Sequence, residues 1–272
     1  MNQPQSAVGN CLDVQSFINA QPISRYQWRV VILCFLIVFL DGLDTAAMGF
    51  IAPALSQDWG IDRASLGPVM SAALIGMVFG ALGSGPLADR FGRKGVLVGA
   101  VLVFGGFSLA SAYATNVDQL LILRFLTGLG LGAGMPNATT LLSEYTPERL
   151  KSLLVTSMFC GFNLGMAGGG FISAKMIPAY GWHSLLVIGG VLPLLLALVL
   201  MVWLPESARF LVVRNRGTDK VRKTLSPIAP QVVAEAGSFS VPEQKAVAAR
   251  NVFAVIFSGT YGLGTVLLWL TY

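Results

Sequence analysis

Charged residues are scarce in this chain of 272 residues. Lysine, arginine, aspartate and glutamate together make up 11% of the sequence, whereas 54% of it is hydrophobic. Soluble domains are about 25% charged, so this balance excludes an ordinary water-soluble globular protein. It favours a protein whose surface faces lipid.

Histidine and cysteine, on which many metal sites and catalytic centres depend, are also rare. The sequence has one histidine, His183 beside Trp182, and three cysteines, Cys11, Cys34 and Cys160. The cysteines lack the spacing of a disulfide framework or a metal site, and the HExxH, GxSxG and CxxC patterns are missing. We therefore expect no cofactor, no metal and no enzyme activity. We interpret His183 as a residue of the membrane interface.

Long apolar runs are what the sequence has instead. A helix needs about 20 residues to cross the hydrocarbon of a bilayer, and six runs are long enough. We place them at 28–55, 66–87, 96–114, 120–142, 153–174 and 184–204. A seventh run begins near residue 252 and is still apolar at Tyr272. The sequence thus predicts an all-α membrane protein, with a six-helix bundle followed by the start of helix seven.

Polar segments flank the predicted bundle. The N-terminal arm is not interpreted as a cleaved signal, because the apolar run after it is too long. Leu12, Phe17 and Ile18 in this arm weakly indicate a short surface helix. We divide the chain into the arm, the bundle, a charged inter-bundle loop and the start of a truncated second bundle, at 1–27, 28–210, 211–250 and 251–272.

Basic residues cluster in alternate connections. The arm, the links after the second and fourth runs, and the segment after the sixth run hold most of the lysines and arginines. Cytoplasmic connections of membrane proteins are enriched in these residues, so we expect the N-terminus and the inter-bundle loop to be cytoplasmic. This topology accounts for the basic clusters without nucleic acid as a partner; the lipid bilayer is the expected one.

Many of the 31 glycines lie inside the apolar runs. Small residues let membrane helices approach closely, so we interpret the glycine-rich run from Gly128 to Gly134 as a helix-packing surface. A phosphate-binding loop would need a preceding strand, and this run lies in the middle of a predicted span.

Three ionisable residues interrupt the spans: Asp41 and Asp44 in the first, and Arg124 in the fourth. Each costs about 2.5–3.5 kcal/mol at the bilayer centre on insertion scales, and such residues normally face a protein-lined or wet cavity. The aspartates lie three residues apart on one helix face, and repulsion and desolvation should let at least one bind a proton near neutral pH. Arg124 is expected either to pair with an aspartate or to hold a substrate carboxylate. The alternative is a purely structural ion pair.

Four segments of the sequence carry recognisable motifs. They are GPLADRFGRK from Gly85 to Lys94, RFLTGLGLG from Arg124, EYTPER from Glu144 and PESARF from Pro205. The first resembles the signature loop between helices two and three of the major facilitator superfamily, and the second resembles its helix-four motif. The last two resemble the motifs that close helices four and six. The resemblance implies the major facilitator fold, with this chain as its N-terminal half.

Within the superfamily, the sequence from Asp41 to Asp44, DGLD, is similar to that of the aromatic acid:proton symporter family. This resemblance implies a complete protein of twelve helices, in which the C-terminal six-helix half is missing from this chain. It also implies proton-coupled import of small aromatic carboxylates, such as 4-hydroxybenzoate and protocatechuate, across the bacterial inner membrane. Met166 stands where antiporters have proline, which agrees with symport. Because a midplane site needs both bundles, the chain alone is expected to be inactive.

Residues and resemblance together suggest three groups of functional positions. Proton coupling is assigned to Asp41 and Asp44. Substrate binding is assigned to Arg124, Asp44, Asn137 and Asn163. Gating, through ion pairs that break and reform, is assigned to Gly85, Asp89, Arg90, Gly92, Arg93, Glu144, Arg149, Glu206 and Arg209. A superfamily transporter of a sugar or another organic ion, a membrane receptor for aromatic acids, and a membrane enzyme remain the alternatives.

Overall fold

The computed structural model describes residues 11–241 and, beyond them, Gly262, Gly264 and Leu267. Two compact units divide the chain, Met1–Ser240 and Val241–Tyr272, and the elements below all belong to the first. The predicted second bundle at 251–272 lies outside the described residues, apart from those three positions.

Six long helices dominate the described chain, and each is long and apolar enough to cross a membrane. A short helix, α1 (Val14–Ala20), precedes them. The long helices are α2 (Arg25–Trp59), α3 (Gly67–Phe91), α4 (Arg93–Ser111), α5 (Val117–Tyr145), α6 (Glu148–Tyr180) and α7 (His183–Trp203). The predicted all-α membrane protein with a six-helix bundle is confirmed.

The start of α2 shows why the predicted and observed helix ends differ. Ser24 Oγ accepts from the Gln27 N–H, and the Gln27 side chain accepts from the Ser24 N–H, which forms a reciprocal capping box. This cap begins the helix at Arg25 rather than at the predicted residue 28. The prediction was late because it used hydropathy, and the first turn of the helix is polar. At its other end, Gly60 adopts a left-handed φ of 61° and closes the helix.

Helix pairs pack through glycine. α3 lies along α5, α2 along α6, and α4 contacts both α5 and α7. Gly128 and Gly132 lie against the α3 backbone, and a Cβ on Gly132 would overlap the Met77 carbonyl. Gly130 lies against α4 in the same way. The packing role predicted for the run from Gly128 to Gly134 is confirmed at these three glycines.

The two ends of the bundle differ in their contacts. At one end, Gln27 Nε2 donates to the Tyr145 carbonyl over 2.8 Å, and the Tyr145 hydroxyl donates to the Glu206 carbonyl over 2.5 Å. We call this the latch end. At the other end the rings of Trp59 and Trp182 meet edge to face, with centroids 5.7 Å apart. We call this the far end.

Short elements cover the latch end. β1 (Cys11–Asp13) pairs in parallel with β2 (Ser238–Ser240). The predicted surface helix of the arm is present as α1, with Phe17 and Ile18 buried, but Leu12 lies in β1 before it. Three further helices follow α7: α8 (Ala208–Val213), α9 (Thr218–Leu225) and α10 (Pro230–Glu235). The bundle boundary predicted at residue 210 therefore falls within α8.

Candidate functional site

A buried ion pair joins the middle of α2 to the second turn of α5. Arg124 Nη1 lies 3.1 Å from Asp44 Oδ2, and the two side chains are only 1% and 3% exposed. Of the two options expected for Arg124, the structure shows the pair with an aspartate, and it selects Asp44. In the interior of a bundle such a pair is stable only when its remaining polar atoms also have partners.

Two serines of α4 supply those partners. Ser108 Oγ donates to Asp44 Oδ1 over 2.5 Å. Ser111 Oγ accepts from Arg124 Nε and Nη2 over 3.3 and 3.0 Å, and donates its own proton to the Phe107 carbonyl over 2.7 Å. Sequence reasoning missed both serines. The available signal was their spacing, because hydroxyls three residues apart in an apolar helix share one face.

Asp41 has a different environment. It is buried, at 3% exposure, and Thr45 Oγ1 donates to its Oδ1 over 3.3 Å. Within the part of the chain that the structure describes, Asp41 takes part in no ion pair. Gly42 between the aspartates provides room for a neighbouring helix, since a Cβ there would overlap the Phe162 carbonyl of α6.

A cavity of about 390 Å³ opens beside the ion pair. Asp44, Arg124 and Thr45 are polar residues of its lining. The rest of the lining is largely apolar and includes Met48, Phe50, Met70, Leu74, Met77 and Met166. Small-molecule sites are typically cavities of about 300–1,000 Å³, mostly apolar, with a few polar groups that orient the ligand. The cavity has this character.

The two asparagines predicted to contact substrate lie in different places. Asn137 Oδ1 accepts from Arg93 Nη1 over 3.3 Å at the latch end. It is 13 residues beyond Arg124, about 20 Å along α5, so the structure does not bring it to the cavity. Asn163 is exposed on α6, one turn before the cavity residue Met166 and on the same helix face.

Several predicted gating residues meet at the latch end. Arg93 Nη2 lies 3.3 Å from Asp89 Oδ1 across the turn that joins α3 to α4. The carbonyl of Asp89 also accepts from Arg214 Nε and Nη2, over 3.0 and 2.8 Å. Arg93, the first residue of α4, therefore links Asp89 of α3 to Asn137 of α5. Arg214, directly after α8, contacts the same residue of α3.

Glu206 organises the other side of the latch end. Its Oε1 accepts from the backbone N–H groups of Lys94 and Ser207 over 3.1 and 2.9 Å. Gly92 has a φ of 93°, and a Cβ there would overlap the Glu206 carboxylate. Glu144 is hydrogen bonded to Ser207, and the positive charges of Arg93 and Arg209 favour its carboxylate form. Glycine at 92 is thus required both by the backbone and by the close approach of Glu206.

The remaining predicted gating residues have other contacts. Among the described residues, Arg149 donates to the carbonyls of Asn19 and Gln21, at 3.4 and 2.9 Å, and to no carboxylate. The expected ion pair is replaced because α1 and the turn after it lie over the start of α6. Arg90 is exposed and lies over the Phe91 ring. A Cβ on Gly85 would meet nothing within 4 Å in the described chain.

A family model described as Major Facilitator Superfamily matches residues 34–272. The chain belongs to this superfamily. Its fold agrees with solved superfamily structures: a double-tryptophan mutant of XylE, a transporter from E. coli, is 21% identical with a TM-score of 0.68 and covers 78% of this chain and 52% of that chain. This likeness shows the fold alone.

Two curated relatives from the superfamily are much closer in sequence. A 4-hydroxybenzoate transporter from Pseudomonas putida is 95% identical over the whole chain, and one from Pseudomonas aeruginosa is 80% identical. The chain spans 61% of the length of each. It therefore corresponds to the N-terminal half of the major facilitator fold and belongs to a multi-pass membrane protein.

Proposed function

We propose that the complete protein is a proton-coupled symporter that imports aromatic carboxylic acids, with 4-hydroxybenzoate and protocatechuate as substrates. The observation that carries the proposal is the buried Asp44–Arg124 pair beside a cavity of about 390 Å³. The high identity to the two 4-hydroxybenzoate transporters supports this choice of substrate.

The cavity suits an aromatic acid in two respects. Arg124 supplies a guanidinium whose planar N–H groups match a carboxylate. Phe50 and the methionines offer apolar and polarisable surface for a ring. Asn163, one turn from Met166, is proposed as a further polar contact for the substrate. Asn137 is better assigned to the latch end, because of its bond to Arg93.

Competition for Arg124 provides the proposed coupling. While Asp44 is ionised, its carboxylate occupies Arg124 Nη1. When Asp44 takes a proton, the attraction weakens and a substrate carboxylate can replace it. Asp41, close by on the same helix and without a cation partner among the described residues, is proposed to pass the proton on. Proton and substrate would then enter together, with no other coupling ion.

The latch end is proposed to control access by rocking of the two bundles, as in other transporters built from repeated halves. Asp89, Arg93, Glu144, Glu206 and Arg209 would exchange partners between the two states. From the distribution of basic residues, we place the latch end in the cytoplasm and the protein in the bacterial inner membrane.

Uptake of radiolabelled 4-hydroxybenzoate by cells that express the full-length protein tests the proposal. We expect a protonophore, Asp41→Asn and Asp44→Asn each to reduce uptake to background, with the variants still present in the membrane. Asp118→Asn is the matched control, because Asp118 is an exposed aspartate in the first turn of α5, and it should retain full uptake.

Other outcomes would identify the alternatives. Uptake that continues with the protonophore and in both variants would contradict proton symport and leave the aspartates a structural role. Competition by a neutral sugar, but not by benzoate, would indicate a sugar transporter. Binding without accumulation would indicate a receptor.

A further inference from the structure

The hydroxyl of Ser111 faces Arg124 in a fixed orientation. Its proton is donated to the Phe107 carbonyl, one turn earlier in α4, over 2.7 Å. A serine oxygen has two acceptor lone pairs, and both remain for the Nε and Nη2 groups of Arg124, at 3.3 and 3.0 Å. Ser111 is therefore a pure acceptor toward the arginine.

The guanidinium of Arg124 thus has two separate attachments. Ser111 holds the Nε–Nη2 edge from α4, whereas Asp44 holds Nη1 from α2 over 3.1 Å. Only the second attachment depends on the protonation state of the acceptor, because the serine hydroxyl does not titrate and the aspartate carboxylate does. Protonation of Asp44 weakens the attachment at Nη1 and leaves the attachment at Ser111 unchanged.

We propose that Ser111 is a positioning residue for substrate: it keeps Arg124 in place beside the cavity while Nη1 exchanges the carboxylate of Asp44 for that of an aromatic acid. The inference rests on the proposed function and adds the group that prepares Arg124 for each new substrate. Without Ser111, the arginine released by Asp44 has no neutral anchor on α4. The substrate carboxylate would then have to order the guanidinium as it binds, which would weaken its affinity.

Kinetics of the full-length transporter test this role. Ser111→Ala should raise the KM for 4-hydroxybenzoate roughly tenfold, the scale of one hydrogen bond to a charged group, with the maximal rate little changed. Ser111→Thr should restore the KM, because a helical threonine hydroxyl can also bond to the carbonyl four residues earlier. Ser173→Ala is the control, since Ser173 is a buried serine of α6 that bonds only to its own helix at Gly170 among the described residues.

A merely structural serine gives a different result. If Ser111→Ala lowers the maximal rate or the amount of protein in the membrane and leaves the KM unchanged, the proposal is wrong. The proposal is also wrong if Ser111→Thr fails to restore the KM while Ser173→Ala has no effect.

Substrate binding separates this inference from the proposed function. Asp44→Asn mimics the neutral acid, so the purified full-length variant should show a thermal shift with 4-hydroxybenzoate, and adding Ser111→Ala should remove that shift. A shift that survives in the double variant, or no shift in Asp44→Asn, overturns the role of Ser111. Absence of proton-dependent uptake by the wild-type protein overturns the proposed function instead, whatever the binding result.

Discussion

At the scale of single residues, the buried Asp44–Arg124 pair has lost the hydration of two charges. The attraction between the two charges compensates for this loss of free energy only together with hydrogen bonds from surrounding groups. Burying either charge alone in a bundle costs several kcal/mol (roughly 3–5 when one partner of a buried pair is removed). Ser108 and Ser111 satisfy further atoms of the pair, yet replacing such a pair with neutral groups is often harmless to stability. The position of the pair beside the cavity therefore agrees with the proposed role in substrate binding.

Arg124→Gln should destabilise the full-length protein by about 3–5 kcal/mol, because it leaves Asp44 buried without a cation. Adding Asp44→Asn should recover most of that loss, since no buried charge remains. The melting temperature of the purified protein in detergent measures both effects, and uptake should be absent from both variants.

Arg63→Gln provides the comparison, because Arg63 is an exposed arginine at the far end and its loss should leave the melting temperature unchanged. If the double variant proves as unstable as Arg124→Gln alone, the unpaired charge of Asp44 is not the cause.

At the scale of helices, backbone contact at glycine sets how α3 and α5 meet. Gly128 and Gly132 of α5 face Ala73 and Met77 of α3 closely enough that a Cβ would overlap a carbonyl. Lipid provides no hydrophobic drive between helices, so close van der Waals contact supplies much of the packing energy. The cavity depends on this contact, because Ala73 and Met77 also line it.

Gly132→Ala should separate α3 from α5 and destabilise the transporter by about 1–3 kcal/mol, the usual range for overpacking. Gly99→Ala should be neutral or slightly stabilising, since a Cβ at Gly99 meets nothing within 4 Å in the described chain. Thermal unfolding and the amount of protein in the membrane compare the two. Equal stability of both variants would show that the α3–α5 contact adjusts without cost.

At the scale of the whole molecule, the orientation in the membrane is a prediction from charge. Tyr113 is 74% exposed just beyond α4 at the far end, and Arg216 is exposed after α8 at the latch end. The positive-inside rule places these two positions on opposite faces of the membrane, with Arg216 in the cytoplasm.

Cysteine labelling of the full-length protein checks this orientation, after its native cysteines, which include those at positions 11, 34 and 160, have been replaced. A membrane-impermeant maleimide should label Tyr113→Cys in intact cells and Arg216→Cys only in permeabilised cells. The reverse pattern would place the latch end outside and would require the transport direction to be reconsidered.

Apolar runs and motifs determined the six-helix architecture and the superfamily from the sequence alone. The length that a span needs is a local property, and so is the cost of a charge within it; this is why Asp41, Asp44 and Arg124 were identifiable without coordinates. Helix ends were less well predicted, because the capping box at Ser24 and the left-handed Gly60 are features of the backbone rather than of hydropathy.

Only the tertiary structure decided which polar groups meet. Arg124 and Asp44 are 80 residues apart in the chain, so their pairing depends on the depth and rotation of α2 and α5. The same geometry brings Ser108 and Ser111 of α4 to the pair and places Asn137 with Arg93 at the latch end. Those rotations are set by glycine contacts between helices, and a contact between two helices is not encoded in the periodicity of either one.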